Sequence, residues 1–92
     1  MNIYVGNLSQ KVNKYDLKGI FEEYGKVISV KIILDKYTGR SKGFAFIEMD
    51  NMHEAKNAIN ELNGLTVKMK NIVVHEAKPK NNDFYRFQSV SR

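Results

Sequence analysis

Two short stretches of the sequence combine aromatic rings with basic side chains. Phe44 and Phe46 stand two residues apart behind Lys42, and Tyr4 lies in a second apolar stretch near the start of the chain. Aromatic rings stack on the bases of single-stranded nucleic acid, while Lys and Arg side chains pair with its phosphates. The chemistry that these residue types offer is therefore binding of an unpaired strand.

Alternation along residues 42–49 predicts a strand with one buried and one exposed face. The face expected in the core is apolar and consists of Ala45, Ile47 and Met49. Because side chains alternate along a strand, Phe44 and Phe46 then point to solvent. The alternative is that the rings form the core, but this would bury Lys42 and Glu48 without partners, at a high desolvation cost.

The first strand, predicted over residues 2–6, repeats the pattern. Burying Ile3 and Val5 turns Tyr4 to the exposed face. The basic residues expected around the three rings are Lys31, Arg40 and Lys42. The alternative for these cations is that they are solvated surface residues that bind no ligand. For the lysines on the helices or just before them, we expect this alternative to hold.

The elements that must position these residues are four strands and two helices. The strands are predicted over residues 2–6, 27–34, 42–49 and 72–76. Asn13 and Asn51 are expected to cap the helices, which end at Gly25 and Gly64. In the second strand we expect Ile28, Val30, Ile32 and Leu34 to face the core, with Ser29, Lys31 and Ile33 on the other face. The connector over residues 65–71 has room for a short hairpin.

The order strand, helix, strand, strand, helix, strand is the split βαβ arrangement of a ferredoxin-like α+β sandwich. Each helix has one apolar stripe, so we expect both to cover one face of a four-stranded antiparallel sheet. The other face stays open. One domain is predicted over residues 1–79, followed by a flexible tail over residues 80–92. The tail is rich in aromatic residues for a disordered segment, which leaves open that it folds over the sheet.

Composition narrows the possible functions. The 92 residues carry a net charge of +5 and include no cysteine. The positive charge favours polyanionic partners, and the lack of cysteine excludes disulfides and thiol catalysis. No apolar run is long enough for a membrane span, so we expect a soluble protein, cytoplasmic or, in a eukaryote, nuclear. We also expect a monomer without a cofactor or metal ion.

Residues 42–49, with the sequence KGFAFIEM, resemble the ribonucleoprotein octamer of the RNA-recognition-motif family, which includes small single-domain bacterial proteins. Residues 3–8, IYVGNL, resemble the hexamer of the same family. Shorter similarities extend over residues 1–79 and comprise TGRS at 38–41, LNG at 62–64 and EAKP at 76–79. The resemblance implies single-stranded RNA as the ligand, with single-stranded DNA as a weaker candidate.

The resemblance also implies residue roles. Tyr4 and Phe46 would each stack on a base. Phe44 would pack against ribose, and Lys42 would meet a phosphate. Weaker contacts, expected from position, are those of Lys31, Val73, His75, Ala77 and Lys78; an uninvolved surface residue is the alternative for His75. Met69 replaces the usual turn glycine, so we expect a different turn there.

Two other functions share this fold. Some relatives of the family use it as a protein-interaction module. Acylphosphatases share the topology and use an Arg in the loop after the first strand, but residues 6–11 contain no Arg. Because no nucleophile–base pair or metal-ligand cluster stands out elsewhere, we expect no enzyme activity.

Overall fold

The computed structural model describes residues 1–77, which form two helices, a four-stranded sheet and a two-stranded hairpin. In chain order the elements are β1 (Asn2–Gly6), α1 (Lys14–Glu22), β2 (Val27–Leu34), β3 (Ser41–Met49), α2 (Met52–Leu62), β4 (Thr66–Val67), β5 (Lys70–Asn71) and β6 (Val73–Ala77). The sheet order is β2-β3-β1-β6, and all neighbouring strands are antiparallel. The predicted ferredoxin-like fold is confirmed.

Both helices begin at the predicted caps. The Oδ1 atom of Asn13 accepts a hydrogen bond from the backbone N–H of Asp16 at 2.9 Å, and Asp16 Oδ2 accepts one from the Asn13 N–H at 3.0 Å. These two bonds form a capping box. Asn51 caps α2 through the N–H of Glu54. Helix α1 ends at Glu22, three residues before the predicted stop at Gly25.

The core lies between the helices and the face of the sheet that was predicted to be apolar. Its largest fully buried side chains are those of Phe21, Ile3, Leu17, Ile47, Met49, Ile72, Val5 and Val74. Ile47 is 1% exposed, whereas its neighbour Phe46 is 38% exposed. The aromatic-core alternative is therefore wrong for β3.

The predicted orientation of β2 is wrong at two positions. Ile28 and Leu34 are 50% and 54% exposed, while Val27 takes the buried place at the start of the strand. The pairing with β3 shifts register between Val27 and Ser29 and again between Ile32 and Leu34. At the first shift β2 carries an extra residue, which breaks its alternation at Ile28. At the second shift the extra residues lie on β3, and Leu34 is exposed at the end of β2. Val30 and Ile32, between the two shifts, pack against the core as predicted.

The connector before β6 contains the short hairpin that the sequence left room for. Strands β4 and β5 are joined by Lys68 and Met69, whose φ angles are 48° and 74°. Two central residues at positive φ are the geometry of a type I′ hairpin turn. The expectation of a different turn is wrong, because Met69 adopts the conformation that glycine would take.

The last part of the chain lies outside the described residues. This applies to Lys78, to the end of the domain predicted at residue 79 and to the tail predicted over residues 80–92. None of the helices among residues 1–77 is long and apolar enough to cross a membrane.

Candidate nucleic-acid interface

Four side chains form a row across the open face of the sheet, one from each strand. Strand register pairs Tyr4 with Phe46 on one side and with His75 on the other. Phe46 is in turn paired with Lys31 on β2. The row therefore runs from a lysine at one edge, over two rings, to a histidine at the other edge. We call Tyr4, Phe44, Phe46 and His75 the ring platform.

The rings of the platform contact one another. The Tyr4 centroid lies 4.7 Å from that of His75, with 23° between the ring planes, and 6.0 Å from that of Phe44, at 28°. Phe46 stands edge-on to both Tyr4 and Phe44, with centroids 5.9 Å and 6.1 Å apart. These separations are typical of favourable aromatic pairs. The platform is a continuous aromatic surface and not a set of isolated rings.

Gly6 allows the Tyr4 ring to lie flat along its own strand. A Cβ atom added to Gly6 would come within 2.5 Å of the Tyr4 hydroxyl oxygen and 2.8 Å of Cζ. Real Cβ atoms do not approach so closely, so the ring would have to move. The absence of a side chain at Gly6 thus leaves the space that the Tyr4 ring occupies on the platform.

Gly43 shapes the start of β3 between Lys42 and Phe44. Its φ is 90°, a left-handed conformation that glycine adopts at little cost. Its carbonyl accepts a hydrogen bond from the Leu8 N–H at 2.9 Å, and its own N–H donates to Ser41 Oγ at 3.0 Å. These bonds join the start of β3 to the loop after β1. Lys42 is therefore held at the end of the platform next to Phe44.

Arg40 lies exposed at the end of the loop between β2 and β3, which Asp35 organises. Asp35 Oδ1 accepts hydrogen bonds from the N–H groups of Tyr37 and Thr38 at 2.8 Å and 3.0 Å. These backbone bonds, that of Thr38 first, lower the pKa of the Asp35 carboxyl below its usual value. The Asp35 N–H donates to the Arg40 carbonyl oxygen at 2.7 Å, which closes the loop.

The predicted site residues are brought together to different extents. Tyr4, Phe44, Phe46 and His75 form one surface, and Lys31 borders it through its pairing with Phe46. The cation–ring contacts within residues 1–77 are Lys14 with Tyr15 and Lys36 with Tyr37, away from the platform.

Sequence reasoning missed three residues at the end of the platform. Asn7, Gln10 and Lys70 line an open cleft together with Lys42, Tyr4 and Phe44. The hairpin predicted over residues 65–71 could have indicated Lys70, since the strands of a short hairpin at this place lie beside the sheet. The contact between this hairpin and the loop after β1 is not indicated by any pattern in the sequence.

Comparison with known proteins gives a consistent result. Residues 3–73 match the family model described as RNA recognition motif. RbpD of Nostoc sp. strain PCC 7120, named as a candidate RNA-binding protein, is 43% identical over 83 residues, which cover 90% of this chain and 88% of that protein.

Two solved structures share the fold closely. The crystal structure of RNA Binding Protein PG1 superposes with a TM-score of 0.82 at 44% identity, covering 87% of this chain and 99% of that one. A complex of the Sxl-lethal protein with RNA also gives a TM-score of 0.82, at 32% identity, covering 88% of this chain and 48% of that one. The match to the family model, the identity with RbpD and the fold agree: the chain belongs to the RNA recognition motif family.

Proposed function

We propose that this chain binds single-stranded RNA on the ring platform. The observation that carries the proposal is the row across the four strands, in which a lysine, an exposed Phe ring, a half-buried Tyr ring and a histidine lie side by side. Bases stack on such rings, and neighbouring cations neutralise phosphates. The fold similarity to the Sxl-lethal protein bound to RNA supports RNA as the partner.

The proposal assigns roles by position on the open face. Tyr4 and Phe46 each stack on a base, and Phe44 packs against ribose. Lys31, Arg40 and Lys42 contact phosphates at the rim, and His75 extends the stacking surface beside Tyr4. Lys78, for which the same role was predicted, lies outside the described residues.

An NMR titration with a random-sequence RNA of about eight nucleotides tests the proposal, since single-strand binding domains of comparable size cover roughly 4–16 nucleotides. We expect the ring resonances of Tyr4, Phe44 and Phe46 to shift on addition of RNA, while that of Tyr15, exposed on α1, stays unmoved. Platform rings that stay unmoved with RNA but shift with a protein partner would favour the alternative of a protein-interaction module.

A parallel titration with DNA of the same random composition addresses the choice of nucleic acid. Stacking and phosphate contacts form with both RNA and DNA, whereas a contact to the 2′-hydroxyl is possible only with RNA. We expect weaker binding of DNA, because Phe44 is assigned to ribose. Equal affinities would remove that assignment and leave the chain a general single-strand binder.

We infer that the chain acts as a cytoplasmic monomer and as a binding module without a catalytic step. The four rings of the platform contact one another within a single chain, so a monomer suffices to form the site. Sedimentation of the complex tests this: one chain per bound RNA of platform length is expected, and a dimer would contradict it. Incubation with an acyl phosphate is expected to release no product above the buffer rate.

A further inference from the structure

A cleft adjoins the ring platform at the end of the sheet where β1 leaves it. Its open volume is about 360 Å³, at the lower end of the range of small-molecule sites. Tyr4 and Phe44 contribute their rings, and the remaining lining residues are Asn7, Leu8, Gln10, Ser41, Lys42, Gly43 and Lys70. The cleft is thus aromatic on the side of the platform and mainly polar on the other, with two lysines among its walls.

The hairpin that carries Lys70 is fastened to the loop after β1. The Nδ2 group of Asn7, a residue held at a φ of 56°, donates a hydrogen bond to the Asn71 carbonyl oxygen at 2.8 Å. On the turn, Lys68 Nζ donates to the Lys11 carbonyl oxygen at 2.9 Å and lies 2.9 Å from Asp16 Oδ2. The turn and strand β5 are therefore tied down on either side of Lys70, which holds it at the cleft.

The two lysines of the hairpin differ in whether their charge is paired within the protein. The charge of Lys68 is used within the protein, in its pair with Asp16. Within residues 1–77 the ion pairs are those of Lys68 with Asp16 and Lys18 with Glu22, and neither Lys42 nor Lys70 forms one. The backbone hydrogen bonds of Thr38 and Tyr37 lower the pKa of the Asp35 carboxyl, and Lys42 adds to this only over a longer range. Two lysines that line one polar cleft are suited to a phosphate group.

We propose that this cleft holds one further nucleotide of the bound strand, with its phosphate between Lys42 and Lys70. The inference rests on the proposed RNA binding and adds the hairpin as a second wall of the site. Tyr4 and Phe44 belong both to the platform and to the lining of the cleft. A strand bound on these two rings therefore continues directly into the cleft. Gln10 lines the cleft and supplies its amide group to the edge of the base or to the ribose, whereas the Asn7 amide holds the hairpin.

The test compares Lys70→Ala with Lys56→Ala, which removes the same charge from the exposed side of α2. The probe is a fluorescein-labelled random-sequence RNA, and anisotropy is followed from about 50 to 200 mM KCl. Each phosphate contact on a single strand adds about 0.7 to the slope of log affinity against log salt, which corresponds to roughly five-fold in affinity at 0.1 M salt. We expect Lys70→Ala to lose this share, Lys70→Arg to recover it and Lys56→Ala to behave as the unmodified chain.

The positioning role of Asn7 has its own test. Asn7→Gly keeps the positive φ accessible and removes the side chain that holds Asn71. We expect Lys70→Ala to cost less affinity in the Asn7→Gly background than in the unmodified chain. Additive losses would mean that the hairpin does not depend on this hydrogen bond.

Phe46→Ala distinguishes failure of the cleft from failure of the platform. If Phe46→Ala loses affinity while Lys70→Ala equals Lys56→Ala, the cleft is not part of the site and the proposed function stands. If Phe46→Ala has no effect, the strand binds away from the platform, and both proposals fall.

Discussion

Strand β3 has hydrogen-bonded neighbours on both sides, whereas β2 has β3 on one side and the sheet edge on the other. Along β3, inward and outward side chains separate cleanly over the stretch from Ala45 to Met49. Along β2, an extra residue between Val27 and Ser29 breaks the same alternation and leaves Ile28 exposed, and Leu34 is exposed at the end of the strand. Where β3 is paired on both sides it carries no extra residue, and its own extra residues lie between Ser41 and Ala45, outside its pairing with β1. An extra residue within the doubly paired part would disturb two ladders, while an edge strand accommodates one on its free side.

The difference between central and edge strands determines which part of a ligand site is held rigidly. The rings of the platform come from β1 and β3, the two strands with neighbours on both sides, and His75 is stacked on Tyr4 from β6. Residues on regular strands are held more precisely than residues on loops or irregular edges. The centre of the sheet should therefore carry the base contacts, and the edge should carry the adaptable phosphate contacts.

The largest effect is expected from a buried residue of the central strand. Ile47→Ala should lower the free energy of unfolding by about 2–5 kcal/mol, because it leaves a cavity in the core. Ile28→Ala, the same change at the edge, should stay within about 0.5 kcal/mol, since its side chain is already half exposed. Urea denaturation measures both. Similar losses in the two variants would mean that β2 is as regular as β3.

Next in size is the loss of a platform ring. Phe46→Ala and Tyr4→Ala should each weaken RNA binding by about 1–3 kcal/mol, the usual share of a base stacked on an aromatic side chain. Anisotropy titration measures the affinity, and denaturation checks that the fold is retained. Tyr15→Ala, which removes an exposed ring from α1, is the matched control and should bind as the unmodified chain does. A ring variant that unfolds would contradict the assignment of the open face.

The same contrast explains which parts of the structure the sequence could predict. Apolar alternation identified the faces of β1 and β3, and the Asn caps located the starts of both helices, because each of these signals is local. The register shifts between β2 and β3 depend on how the two backbones pair, which no local pattern records. At the turn, strict geometry of the two-residue hairpin overrides the low preference of Met69 for positive φ.

The sequence predicted the rings of the candidate site but not the residues at its end. Tyr4, Phe44 and Phe46 follow from alternation alone, as does the pairing of Lys31 with the platform once the strands are in order. Lys70 is 64 residues or more away from β1 in sequence, and its place follows from a hydrogen bond between Asn7 and Asn71, which are separated by 64 positions. Contacts of this range arise only when the whole sheet has formed.

A smaller effect is expected from the glycine beneath the Tyr4 ring. Gly6→Ala should weaken RNA binding by on the order of 1 kcal/mol, less than Tyr4→Ala, because it displaces the ring without removing it. The Tyr4 ring resonances report the displacement directly. Gly19→Ala is the control: nothing lies within 4 Å of the added Cβ in α1, so this variant should gain roughly 0.5–1 kcal/mol of stability and bind unchanged. Unchanged binding by both variants would show that the exact position of Tyr4 is unimportant.

The smallest effect should appear at the edge, in the loop that ends at Arg40. The N–H groups of Thr38 and Tyr37 bond to the ionised Asp35 carboxyl and lower its pKa from the usual 3.8. A carboxyl with a lowered pKa stabilises the fold above its unfolded pKa and loses that contribution as the pH falls through the lowered value. The loop should therefore stay closed at neutral pH and open only below about pH 4. Amide shifts of Tyr37 and Thr38 against pH measure this, and Asp35→Asn, which keeps an acceptor oxygen but does not titrate, should remove the transition. A transition near neutral pH in the unmodified chain would mean that a different group controls the loop.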